Sequence, residues 1–238
     1  MPFVPAAVMC SHLNVRRGIN HILCDLNLEF PRGKIIGLLG PSGSGKTTLL
    51  RSIAGLQSLT NGKIEVFGSL AGSKELRSKI GYSTQSSSVY SDLTCLENIR
   101  YFASLHSSNE RSAQEILEVV DLAKNANQLA RTLSGGERAR LALATTLVGS
   151  PEMLILDEPT VGLDPILRIQ IWALFSNLAN QGKTLLVSSH VMDEAENCQE
   201  LLLLREGSVL AYGTPSELRE KTGFSKMEQV FIALIKKK

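Results

Sequence analysis

Between Gly40 and Thr48 the chain reads Gly40-Pro41-Ser42-Gly43-Ser44-Gly45-Lys46-Thr47-Thr48, which meets the pattern G-x-x-x-x-G-K-[ST] at every fixed position. The pattern works only as a loop between a strand and a helix, and both neighbours comply. Lys34-Ile35-Ile36-Gly37-Leu38-Leu39 is apolar and strand-like, and Leu49-Leu50-Arg51-Ser52-Ile53-Ala54 suits a helix. The glycines open backbone angles closed to residues with a Cβ, so successive N–H groups turn inward around an anion. The free N–H groups and dipole of the following helix add to that field. Lys46 then reaches the β- and γ-phosphates and the Thr47 hydroxyl is placed for a magnesium ion, so the stretch reads as a nucleoside triphosphate site.

The rest of the chain alternates in a matching way. Val8 to Leu13 and Ile22 to Phe30 have β character on either side of a turn at Arg17-Gly18-Ile19-Asn20. Thr60 to Lys63 predicts a turn, with strands at Ile64 to Phe67 and Ile80 to Thr84, so antiparallel hairpins are expected to flank the phosphate loop. From residue 86 to about 131 the pattern is helical, with capping boxes at Thr94 with Glu97 and Ser112 with Glu115. A third box, Ser134 with Glu137, opens a helix whose first turn, Gly135-Gly136, is bare of bulky side chains. Met153 to Leu156 is a buried strand ending at Asp157, and Asp164-Pro165 caps a helix running to about Asn180. Thr184 to Ser188 is another buried strand, Ser189-His190 is expected to open a helix, and Leu201 to Leu204 enters a hairpin through Glu206-Gly207. Met227 to Lys238 predicts an amphipathic helix with Val230, Phe231, Leu234 and Ile235 on one side. Buried strands alternating with helices specify an α/β fold with a parallel sheet covered on both faces.

Bulk composition narrows the function classes. In 238 residues, 43% are hydrophobic and 20% charged, enough for a sizeable core. A net charge of +2 makes no electrostatic case for a nucleic-acid groove, and the basic run Lys236-Lys237-Lys238 reads as a solvated end. Cys10, Cys24, Cys95 and Cys198 lie far apart with no metal spacing, so they are expected as free thiols in a reducing compartment. No uncharged apolar run approaches the length of a membrane span, and residues 1–14 lack the pattern of a secretion signal. Two carboxylates remain conspicuous. Asp157 at the end of its buried strand stands where open α/β sheets bind ligands, suited to holding magnesium, and Glu158 follows where it could orient or deprotonate an attacking water.

Leu133-Ser134-Gly135-Gly136-Glu137, with the strand and Asp157-Glu158 behind it, resembles the signature and B motifs of ATP-binding cassette (ABC) ATPases. Other motifs follow in the family's order: Gln85 matches the Q-loop, Gly162-Leu163-Asp164 the D-loop and His190 the switch histidine. The resemblance covers about residues 8–218. It implies a P-loop NTPase with a RecA-like parallel-sheet core and an antiparallel β subdomain (about 1–85 and 132–222), an inserted helical subdomain (about 86–131) and a C-terminal helix (223–238). It further implies that Lys46 and the loop amides neutralise phosphate charge and that Thr47, Gln85 and Asp157 surround Mg2+. Glu158 would act on water, and His190 would contact the γ-phosphate. Ser134, Gly135 and Gly136 would close on the ATP of a second ABC ATPase subunit, head to tail, in a homo- or heterodimer. His12, His21 and His106 are read as structural. Two positions depart from the family pattern: Glu137 stands where the signature often has Gln, and Arg17 precedes Gly18 where members often stack an aromatic ring on adenine. A guanidinium can stack on a base as well.

The resemblance also suggests the coupled task. Tyr90, Leu93, Leu96 and Tyr101-Phe102 fall in the part of the family that receives coupling helices from separate transmembrane permease subunits. The ending Gly223 to Phe231 is similar to exporter ATPases of the drug, antibiotic and polysaccharide class. The resemblance therefore implies a peripheral place on the cytoplasmic face of a membrane, with no nucleic acid expected. A soluble ABC ATPase working on nucleic acid or ribosomes is the alternative, disfavoured by the lack of a long coiled coil or a second cassette. A P-loop kinase or GTPase leaves Ser134-Gly135-Gly136 and His190 unexplained.

Overall fold

The computed structural model describes residues 6–84, 89–105 and 110–236. Gln85 and His106 lie outside the described residues. Strands β1 (Ala6–Arg17) and β2 (Asn20–Pro31) form a long antiparallel hairpin closed by Arg17 opposite Asn20. The next strand, β3 (Ile35–Leu39), leaves this sheet and runs into α1 (Lys46–Ile53) through the glycine loop. β4 (Asn61–Val66) and β5 (Ser69–Leu70) return to the hairpin, giving a sheet of order β2-β1-β4-β5. A second sheet takes β6 (Ile80–Ser83), β7 (Met153–Asp157), β8 (Thr184–Ser189), β9 (Glu200–Arg205) and β10 (Ser208–Gly213) in the order β10-β9-β3-β8-β7-β6. Its members pair in parallel except for the β9–β10 hairpin. Ile80–Ser83 thus departs from the expected antiparallel flank. It lies parallel to β7, Ile80 opposite Met153, as a sheet edge carrying the chain toward residue 85.

The unbroken apolar runs of the parallel strands have a direct cause: each strand buries both faces. Ile35, Leu39, Leu154, Leu156, Leu185, Val187, Leu201 and Leu203 point to one side and join one core. Ile36, Leu38, Met153, Ile155, Leu186, Leu202 and Leu204 point to the other side and join a second core with Leu49, Leu50 and Ile53 of α1 and the antiparallel sheet. The period of two along each strand deals its residues alternately to the two layers.

The first core is closed by helices α2 (Cys95–Leu105), α3 (Glu110–Val119), α4 (Gly135–Leu147), α5 (Pro165–Asn180), α6 (Pro215–Thr222) and α7 (Met227–Lys236). Their boundaries follow the capping chemistry. Thr94 N donates to Glu97 Oε2 (2.7 Å) while Glu97 N donates to Thr94 Oγ1 (3.2 Å), and Asp164 Oδ1 accepts from Ile166 N and Leu167 N ahead of Pro165. Buried Asn98 pins the entry to α2, accepting from Tyr90 N at 2.8 Å and donating to Thr94 O at 2.9 Å. Helix α3 begins at Glu110, two residues before the expected cap at Ser112, whose side chain lies outside the described residues. Thr214-Pro215-Ser216-Glu217 opens α6 with a capping box that sequence reasoning passed over. Ser189-His190 does not open an α-helix. Ser189 Oγ takes the Val191 N–H (3.0 Å), holding that residue extended, and a 3-10 turn follows at Met192–Asn197.

Cys10, Cys95 and Cys198 are buried and Cys24 half-buried, all free; burial pushes the Cys10 thiol up to about 12. Among the described residues no helix is long and apolar enough to cross a membrane. Phe175 of α5 is fully buried, edge-on to Trp172 at 5.3 Å between ring centroids. Phe175→Ala is expected to cost about 3–5 kcal/mol, read as a lowered urea midpoint with an unchanged denaturant slope.

Candidate functional site

The parallel register brings three strand ends level. Leu39 lies opposite Ser189, and Asp157 opposite Ser188, so the glycine loop, the two carboxylates and the histidine segment leave the sheet along one edge. The loop is pressed against its surroundings. A Cβ on Gly40 would stand 2.2 Å from Leu204 O, and Gly45, the N-cap of α1, holds φ at 105°, a conformation that side chains disfavour. Pro41 O accepts from Ser44 N, and buried Ser44 in turn accepts at its carbonyl from Gly207 N, tying the loop to the β9–β10 hairpin.

Lys46 is buried, and its Nζ donates to Gly40 O (2.7 Å) and Pro41 O (3.1 Å). Burial pulls this amine below its ordinary pKa, while Glu158 and Asp157 oppose the shift. Thr47 Oγ1 donates to Asp157 Oδ1 (3.1 Å), and Ser188 Oγ donates to the same oxygen (2.6 Å). The Glu158 N–H donates to Ser188 Oγ at 2.9 Å, so one hydroxyl orders both acidic residues. Glu158 itself sits at φ 52°, a left-handed conformation costing a non-glycine residue roughly 1–3 kcal/mol. Its carboxylate lies between two basic groups, Lys46 Nζ 4.0 Å from Oε1 and His190 Nδ1 3.3 Å from Oε2.

Sequence reasoning missed Ser188. Its signal was available, because two buried strands of one parallel sheet end in polar residues, and levelling those ends puts Ser188 beside Asp157. Arg17 joins Ile22, Ser42, Gly43, Gly45 to Thr48 and Glu158 around a cavity of about 350 Å³, within the range of small-molecule sites. Thr47 Oγ1 and Asp157 Oδ1 present hard oxygen ligands at one spot, a donor set that suits Mg2+.

Ser134, Gly135 and Gly136 do not line this cavity; Gly135 lines a neighbouring cavity of about 270 Å³ that Glu158 and Gly162 also line. Ser134 Oγ and N both engage Glu137 Oε2, at 2.9 and 2.8 Å, and these bonds hold the Glu137 carboxyl below the usual range. Asn125 donates to its other oxygen at 3.2 Å, joining the start of α4 to the helical insertion. Glu137 therefore caps this helix as expected. The first turn carries no bulky side chain of its own, but only Gly135 is open: Gly136 is buried, and a Cβ there would stand 2.2 Å from Leu167 Cδ1 of α5.

The family model described as ABC transporter matches residues 23–161. This chain belongs to the ABC transporter family. Its ABC relatives include the probable multidrug ABC transporter ATP-binding protein YbhF of Escherichia coli, 40% identical over 82% of this chain and 35% of its own length. The Nod factor export ATP-binding protein I of Rhizobium leguminosarum bv. viciae is 38% identical over 91% of this chain and 72% of its own. The chain thus spans about a third of the first of these ABC relatives and most of the second. Among solved ABC structures, cbiO1 of Clostridium perfringens, part of the ABC transporter complex cbiONQ, superposes with a TM-score of 0.83 at 26% identity, covering 91% of this chain and 92% of that one. A dimeric ATP-binding cassette in a post-hydrolysis state with ADP and Pi gives 0.78 at 27% identity, covering 87% and 98%. The ABC fold, with its parallel core, antiparallel sheet and helical insertion, is the one expected from the sequence.

The Gly136 contact carries a test of how tightly the signature segment is built. Gly136→Ala is expected to destabilise by about 1–3 kcal/mol through overpacking, whereas Gly135→Ala, with nothing within 4 Å of its Cβ, leaves the urea midpoint close to that of the parent.

Proposed function

We propose that the chain is the ATP-binding and hydrolysing subunit of an ABC transporter of exporter type. It works as a head-to-tail pair with a second such subunit on the cytoplasmic face of a membrane, coupled to separate permease subunits. The observation that carries this reading is the placement of Glu158, its carboxylate within reach of Lys46 and His190 and its backbone fixed through Ser188 beside Asp157. The names of the multidrug and Nod factor export relatives support the exporter class. The nucleotide and dimer of the post-hydrolysis cassette support ATP as the substrate and pairing as the working state.

In this reading residues 1–238 act as one cassette, with about 86–131 as the helical insertion. The loop amides from Gly40 to Thr48 bind the phosphates, and Arg17 stacks on the base from the rim of the same cavity. Thr47, Asp157 and Gln85 would hold Mg2+, which when bound would supply charge neutralisation on the phosphate oxygens. Lys46 exchanges its loop carbonyl partners for phosphate oxygens, turning a buried cation toward the developing charge. Glu158 takes the proton of the attacking water, and His190 holds the terminal phosphate and the carboxylate in line. Ser134 and Gly135, open to the outside and not among the residues lining this chain's own phosphate cavity, complete the site of the partner copy.

Two variants test the reading. Glu158→Gln should keep nucleotide affinity, lose turnover by about 10²- to 10⁴-fold and elute as a dimer in ATP; normal hydrolysis removes the proposed base. Ser134→Arg should leave ATP binding of the single copy intact and abolish hydrolysis; unaltered turnover rules out a site shared between copies.

A further inference from the structure

Behind the segment that carries His190 lies a buried charge outside the site described above. Glu194, four residues on in the 3-10 turn Met192–Asn197, is 3% exposed. Both of its carboxylate oxygens lack a hydrogen-bond donor among the described residues, although Arg168 Nε of α5 lies 3.6 Å from Oε1. Arg168 Nε is likewise buried without an acceptor, and Nη2 of the same guanidinium reaches back 3.5 Å to Leu163 O in Gly162-Leu163-Asp164. An ion pair so poorly served by hydrogen bonds, its acid buried and its arginine side chain 36% exposed, is a weak source of stability, because desolvation of the carboxylate offsets the attraction. Its effect is geometric. One charged contact links the Gly162-Leu163-Asp164 loop, through α5, to the turn behind His190.

The turn has little freedom elsewhere. Val191 N is bonded to Ser189 Oγ, Cys198 Sγ leans on Glu194 O (3.7 Å), and Cys198 in turn fills the space over Gly37 of β3, where a Cβ would meet Sγ at 2.7 Å. Glu196 on the outer side is ion-paired with Arg219 of α6. On the inward side of the turn Glu194 faces Arg168.

We infer that Arg168 and Glu194 form a positioning pair that sets His190 against Glu158 and ties that setting to the Gly162-Leu163-Asp164 loop. The inference rests on the reading that His190 acts at the terminal phosphate. Neither residue touches substrate; each acts through the histidine.

The test is a double-mutant cycle on the full chain, read as steady-state ATP turnover below the melting transition, with nucleotide binding measured in parallel. Glu194→Gln keeps the side-chain volume and should lower kcat about tenfold with KM within twofold of the parent. Arg168→Met combined with Glu194→Gln removes both charges, which guards against misfolding from one unpaired charge, and should show the same kcat loss. In a His190→Ala background Glu194→Gln should add no further loss, since the residue through which it acts is gone. An equal tenfold loss in both backgrounds overturns the positioning role while leaving His190 its own. Full turnover by His190→Ala alone overturns the reading of the histidine, and this inference with it. Parent-level kcat in the Arg168→Met, Glu194→Gln protein also overturns it.

Discussion

Register in the parallel sheet is the constraint on which the site depends. Strands β3, β7 and β8 bury both faces, so a slip of one residue would send every leucine and isoleucine to the layer built for its neighbours. That penalty, repeated along three strands, keeps their ends level, with Asp157 opposite Ser188 and Leu39 opposite Ser189. Polar residues come where the apolar layers stop. Asp157, only 4% exposed, is tolerated there because two hydroxyls donate to it.

Charge is balanced across a short span at this edge. Lys46 is deep enough for desolvation to weaken its protonated form, and the carboxylates beside it restore part of that loss. Glu158 is held in a costly backbone conformation by the Ser188 hydroxyl, which aims its side chain away from the sheet and toward the lysine and histidine.

Much of this was legible in residue patterns. The glycine loop, the paired acids and the capped helix at Ser134 each have a local cause, since sterics, strand termination and N-cap chemistry act within a few residues. What escaped depends on distant partners. Ser188 matters because of a strand thirty-one residues earlier, as its bond to Asp157 shows. The parallel placement of Ile80–Ser83 is decided by β7, and the burial of Gly136 by Leu167 on another helix. The turn after His190 was misjudged for a nearer reason: the Ser189 hydroxyl competes for the backbone N–H that an α-helix would need.

The seat of Leu167 on Gly136 has a geometric consequence. Backbone meets side chain there with no methyl group to spare, so the N-terminal ends of α4 and α5 approach as closely as they do because position 136 is a glycine. Asn125 fastens the same end of α4 to the helical insertion through Glu137. One short stretch at the start of α4 therefore touches both the helical insertion, through Asn125, and α5, through Leu167.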